Sequence, residues 1–242
     1  MKIAVINFSG NVGKTTIARH LLAPRLPGAA VVSIESLNAD DTTTDTLRAN
    51  QFGALQEYLQ TVDSAVVDIG ASNVEELLAL MRRYSGSHDD FDRFLLPTVP
   101  AWKQQQDTIA TLVDLSRLGV PPEKLSLVFN LVDEGDALPQ VFKPVWTFVR
   151  SSGVARLAED AWLGFNEVYE RAKGQDLRAL ASDATDYKAL IASTQDATQR
   201  LAAAQRLATR RLAVGVVPEL DRCFAALELV KPMSPVVQDS VG

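Results

Sequence analysis

The chain has 242 residues, 47% hydrophobic and 22% charged, enough to bury one large core in a single α/β domain. Its net charge of −6 excludes a protein that coats nucleic acid with its whole surface, and the lone cysteine, Cys223, excludes an internal disulfide or a multi-cysteine metal centre within one chain. Two histidines, His20 and His88, are too few for a histidine metal cluster, and with neither a long apolar run nor a cleavable signal pattern a cytoplasmic chain is expected.

The first stretch organises the rest. Ile3 to Ile6 form a short apolar run that reads as a strand buried on both faces. It empties into Ser9-Gly10-Asn11-Val12-Gly13-Lys14-Thr15-Thr16, and an apolar helix follows through Leu22. Glycines at 10 and 13 let backbone N–H groups turn inward, and a helix opening near Lys14 aims its positive end at the same spot. Lys14 is then placed for the β- and γ-phosphates of a nucleotide, and the Thr15 hydroxyl for Mg²⁺.

The loop resembles the deviant Walker A loop of ParA/MinD-type ATPases, K-G-G-x-G-K-[ST], with Gly10, Val12, Gly13, Lys14, Thr15 and Thr16 in register. Ser9 stands where that family has its signature lysine, Asn11 where it has a second glycine, and Phe8 where the ordinary G-x-x-x-x-G-K-[ST] pattern needs glycine. Asparagine tolerates positive φ best among non-glycine residues, so Asn11 is expected to keep the loop shape. In the family the signature lysine reaches across a nucleotide-dependent homodimer to the partner's phosphates, which a serine is too short to do.

Downstream, Pro24 and Pro27-Gly28 stop the first helix, and Val31 to Glu35 reads as a second strand leading into a polar loop from Ser36 to Asp45. By resemblance this loop faces the γ-phosphate, and a carboxylate near the attacking water falls to Glu35, Asp40 or Asp41. Residues 46 to 60 have helical periodicity. Ala65 to Ile69 is a strand that delivers Asp68 to its end, the arrangement of a Walker B aspartate, with Gly70 next to it for a backbone approach to phosphate. Ser72 to Glu75 has the form of a capping box opening a helix whose apolar face is Leu77, Leu78, Met81 and Tyr84. Phe91 to Pro97 is a strand, Trp102 reads as a helix-start anchor, and Thr108 to Leu118 is helical. Leu125 to Phe129 is a fifth strand, ending at Asn130.

An Asn at this position contacts adenine in ParA-like proteins; Asn130-Leu131-Val132-Asp133 also resembles the guanine motif N-K-x-D, with Leu131 in place of lysine. Residues 138 to 150, with Pro139 and Pro144, form a broken helix, and Val154 to Leu157 is a candidate sixth strand. The segment near Ala172-Lys173-Gly174 resembles the family's late base-pocket loop. Asp186 to Leu212 reads as one long helix with a stripe at Leu190, Thr194, Ala197, Leu201, Ala204, Ala208 and Leu212, followed by a short helix over Leu220 to Leu229 and a disordered tail.

Five strands alternating with helices predict a doubly wound, mostly parallel sheet of six to eight strands, with the ATPase domain over 1 to 180 and C-terminal helices over 181 to 229 packed on it. The loop, Thr15 with Asp68, and Asn130 point to an Mg²⁺-dependent ATPase. Val67-Asp68-Ile69-Gly70-Ala71-Ser72-Asn73, together with Ser9, resembles the StbB branch of plasmid stability proteins, which implies a DNA-binding partner protein. The family also binds DNA without sequence preference through C-terminal arginines, here Arg206, Arg210 and Arg211 with Arg200 and Arg222 nearby; a solvated helix face is the other reading. A nucleotide switch with little hydrolysis, a small-molecule ligase and a GTPase remain alternatives.

Overall fold

The computed structural model describes residues 1–34 and 49–229. Among these, six strands make one sheet: β1 (Lys2–Val5), β2 (Ala30–Ser33), β3 (Ala65–Asp68), β4 (Arg93–Thr98), β5 (Leu125–Val132) and β6 (Trp162–Gly164), in the order β2-β3-β1-β4-β5-β6. Every neighbouring pair is parallel. Parallel strands need crossovers rather than tight turns, and helices provide them. In chain order these are α1 (Lys14–Thr16), running on as a π-wound stretch Ile17–Leu22, then α2 (Ala49–Thr61), α3 (Val74–Arg83), α4 (Trp102–Leu118), α5 (Leu138–Val141), α6 (Lys143–Ser152), α7 (Val168–Arg171), α8 (Leu177–Ser182), α9 (Tyr187–Ser193) and α10 (Ala197–Ala226).

Side-chain alternation along the strands divides the core between two faces. Ala4, Val67, Phe94, Leu96, Leu127 and Phe129 point to one face and pack with residues of α2, α3, α4 and α6. Ile3, Val5, Val66, Leu95, Val128 and Leu163 point to the other, under Ile17–Leu22, α7, α8 and the second half of α10. Cys223 is buried in the second cluster, where burial pushes its thiol pKa up to about 12 and makes it a packing residue rather than a reactive one. His20, packed on Tyr169 with ring centroids 5.4 Å apart, has the same character.

Phe129 is fully buried between Phe142, at 4.7 Å between centroids, and Trp146, at 5.5 Å. Phe129→Ala is therefore expected to lower unfolding free energy by about 3–5 kcal/mol, read from a urea titration. A loss under about 1 kcal/mol would show that this face is not the core.

The topology fixes where a ligand sits. The chain leaves β1 toward β2 and leaves β4 toward β5, in opposite directions along the sheet, so the carboxyl ends of β1 and β4 flank a crevice. The loop after β1 opens into that crevice, and the start of α4 lies beside it.

Several local expectations are revised. The sixth strand is Trp162–Gly164, whereas Arg156 makes only one isolated bridge, to Ser126. The helix expected from Thr108 begins at Trp102, a residue that is 69% exposed. The 138–150 helix breaks at Phe142, and Pro139 and Pro144 each sit in the first turn of their own piece, where a missing N–H is harmless.

The long C-terminal helix is divided differently from the expectation. It breaks after Ser193, because Asp196 turns its carboxylate back onto the Gln199 N–H and starts a new helix. That helix then runs without interruption through Pro218 to Ala226. The carbonyl that proline releases belongs to Val214, a residue that is half exposed. The apolar stripe accordingly lies at Ala213, Val216, Leu220 and Cys223, and Leu190 and Leu201 face solvent. Residues 230–242, expected as a disordered tail, lie outside the described residues, as do Glu35, Asp40 and Asp41.

Candidate nucleotide site

β1 ends at Val5, level with Asp68 at the end of β3, so the outgoing loop and the aspartate reach the same edge of the sheet together. The loop turns on two residues in the left-handed region, Asn11 at φ 56° and Gly13 at φ 89°. At Gly13 the requirement is steric as well. A Cβ there would overlap the Asn130 side-chain nitrogen, whereas a Cβ at Gly10 would meet nothing within 4 Å. Of the two glycines expected to matter, Gly13 is thus demanded by the loop's own contacts.

Around the loop lies an open pocket of about 500 Å³, lined by Gly10, Asn11, Gly13 to Thr16, Asp68 and Gly70 to Ser72. Lys14 is buried, and its ammonium donates to the carbonyls of Ser9 at 2.7 Å and Asn7 at 3.3 Å. The Thr15 hydroxyl donates to Asp68 Oδ2 at 2.7 Å, so a hard hydroxyl oxygen and a carboxylate converge on the pocket. Mg²⁺ is held by one or two carboxylates together with substrate phosphates and water, and this donor pair fits that habit. Among the described residues, Asp68 is the one carboxylate lining the pocket.

Three residues expected to touch nucleotide also make contacts within the chain. Ser9 is buried and its hydroxyl donates to Asp107 Oδ2 on α4 at 2.5 Å. Val12 is fully buried, and its carbonyl accepts from Asn130 Nδ2 at 3.0 Å. Asn130 itself is 5% exposed, and its amide nitrogen is the donor in that bond. The Ser72 capping box does not form either: a 3-10 turn over Ala71–Asn73 precedes α3, no side chain caps it, and Ser72 stands exposed on the pocket rim.

The arginines of the C-terminal cluster have different surroundings in the fold. Arg210 donates to the Thr185 carbonyl at 2.9 Å and lies near Asp183, whose carboxylate is held down at about 2 by hydrogen bonds from Thr185 and Tyr187. Arg222 lies over the Trp162 ring, 3.9 Å from its centroid, and donates to the carbonyls of Asp160 and Trp162. Arg206 lines a separate groove with Arg171 and Lys173.

No protein-family profile and no curated protein sequence matches the chain. Solved structures do. McdA of Cyanothece without nucleotide superposes with a TM-score of 0.50 at 14% identity, over 74% of this chain and 92% of that one. The likeness is one of fold. An ATP complex of a McdA variant from Cyanothece has a TM-score of 0.47 at 14% identity, over 89% of this chain and 96% of its own. MinD of Pyrococcus horikoshii, a septum site-determining protein complexed with Mg-ADP, has a TM-score of 0.43 at 14% identity over 93% of each chain. The six-stranded parallel sheet with flanking helices is the α/β architecture expected from the alternation of strands and helices.

Proposed function

We propose that the chain is an Mg²⁺-dependent, ParA/MinD-type ATPase of the plasmid-stability kind, working with a DNA-binding partner protein. The observation that carries the reading is the convergence, at one edge of a parallel sheet, of an anion-cradling turn, the Lys14 ammonium and the Thr15–Asp68 pair. A triphosphate in the pocket draws Lys14 off the carbonyls of Asn7 and Ser9 and onto its own oxygens, an exchange of neutral acceptors for anionic ones. Backbone N–H groups at the start of α1 take up charge on the same oxygens. Thr15 and Asp68 would hold magnesium, which when bound supplies further neutralisation of the phosphate oxygens. Water attacks the γ-phosphorus, the bond to the bridging oxygen breaks, and the leaving diphosphate carries its charge into the same cradle.

One observation favours a second reading, a nucleotide switch that turns over slowly. Ser9 stands where the resembled family has its signature lysine, and its hydroxyl is held by Asp107 of the same chain. The two readings separate in one set of assays: equilibrium binding of ATP and GTP with magnesium, then steady-state phosphate release with and without DNA. ATP binding with DNA-stimulated release is the expected result. Tight binding with negligible release supports the switch, and absence of binding to either nucleotide sinks both readings. Retention on DNA that survives Arg206→Glu with Arg211→Glu would retire the arginines as contacts, since phosphate-contacting cations set salt-sensitive affinity.

A further inference from the structure

We propose that Asp107 is a positioning residue for the nucleotide loop, acting through Ser9; the proposal rests on the reading of that loop as a triphosphate cradle. Three consecutive residues leaving β1 are each tied to α4 by a polar side chain. Asn7 Nδ2 donates to Thr108 Oγ1 at 2.8 Å, the Phe8 N–H to Thr111 Oγ1 at 3.1 Å, and Ser9 Oγ to Asp107 Oδ2 at 2.5 Å. The helix side of these ties is itself braced. Thr108 and Thr111, both fully buried, donate back to the carbonyls of Gln104 and Asp107, and Thr108 also reaches Thr98 at the end of β4. A buried polar seam of this kind is specific in geometry, because each group left without its partner costs more than a lost apolar contact.

Asp107 is the carboxylate of the seam, and its tie is to Ser9, the residue next to the pocket-lining Gly10. Lys103 Nζ donates to the same Oδ2 at 2.6 Å, and this bond, then the one from Ser9, holds the carboxyl below its ordinary range. Ser9 is therefore held three ways, its hydroxyl by Asp107, its carbonyl by Lys14 and its N–H by Asn7 Oδ1. The second grip is lost when Lys14 turns to phosphate. The first then holds the Ser9 side chain, with Asn7 Oδ1 still on the Ser9 N–H, while the amides after it meet the ligand. Charge-assisted hydrogen bonds suit that duty, being shorter and stronger than neutral ones.

The test is a double-mutant cycle on the full chain, read as the Kd for Mg-ATP by fluorescence of a labelled nucleotide in competition. Ser9→Ala and Asp107→Ala are each expected to weaken binding about 10-fold, and the double variant no more than either alone, because they break one bond. Asp107→Asn keeps an acceptor oxygen for Ser9 and is expected to recover most of the loss. Thermal midpoints of all four proteins separate misfolding from misplacement, and Ser9→Ala with Asp107→Asn carries the test if Asp107→Ala does not fold.

Wild-type binding that is lost in Lys14→Ala but unchanged in Ser9→Ala and Asp107→Ala would overturn this inference alone. Losses that add in the double variant, or an Asp107→Asn protein as weak as Asp107→Ala, would also overturn it. Failure of the wild-type chain to bind ATP would remove the cradle reading and this inference together.

Discussion

Lys14→Ala is expected to weaken Mg-ATP binding by about 10³-fold and to leave the folded state within about 1–2 kcal/mol of the wild type. The size follows from one ammonium at about 4 Å from a phosphate oxygen. At an effective dielectric of about 20 that contact is worth roughly 4 kcal/mol, which is close to three decades in Kd. Stability responds less because two effects oppose. The substitution relieves a buried ammonium of its desolvation cost, while the carbonyls of Ser9 and Asn7 lose a donor. Isothermal titration against chemical denaturation separates the two quantities. An alanine variant that binds ATP like the wild type would show that the pocket is not a triphosphate cradle, and the roles given to Thr15 and Asp68 would fall with it.

How much of this was legible beforehand follows from the range over which each feature is determined. β1, β3, β4 and β5 are read from short apolar runs because strands buried on both faces need no alternation. The turn at Asn11 and Gly13 is legible because positive φ is a local demand that few residue types meet. Ser9 and Asn130 were legible as positions and not as partners. The hydroxyl of Ser9 meets a carboxylate 98 residues away, and the amide of Asn130 meets a carbonyl 118 residues away, so only the folded sheet brings either pair together. β6 was missed because three residues, Trp162-Leu163-Gly164, carry too little pattern to separate them from a loop. The expected break between Leu212 and Leu220 does not occur: α10 passes through Pro218, with Ala213, Val216, Leu220 and Cys223 buried along it.

Gly13→Ala is the second large effect, and it tests the loop through backbone rather than charge. The residue sits at φ 89°, where an L side chain costs about 1–2 kcal/mol, and its Cβ would overlap the Asn130 amide. Relief comes in one of two ways. Either Asn130 swings out and leaves the Val12 carbonyl without its donor, or the turn shifts and carries the amides at the start of α1 off target. Both end nucleotide binding, so a loss of about 10²-fold or more in affinity is expected, with a thermal midpoint several degrees below the wild type. Adding Asn130→Ala removes the overlap and leaves the φ cost, so the double variant should regain part of the midpoint and little of the affinity. Asn130→Ala alone then decides what the amide is for. A strut for the loop weakens ATP and GTP in parallel, by roughly 10-fold for one lost hydrogen bond. An amide that leaves Val12 to read adenine in the complex would instead cost ATP affinity while sparing GTP, and that outcome would return Asn130 to the base-binding role its place at the end of β5 first suggested.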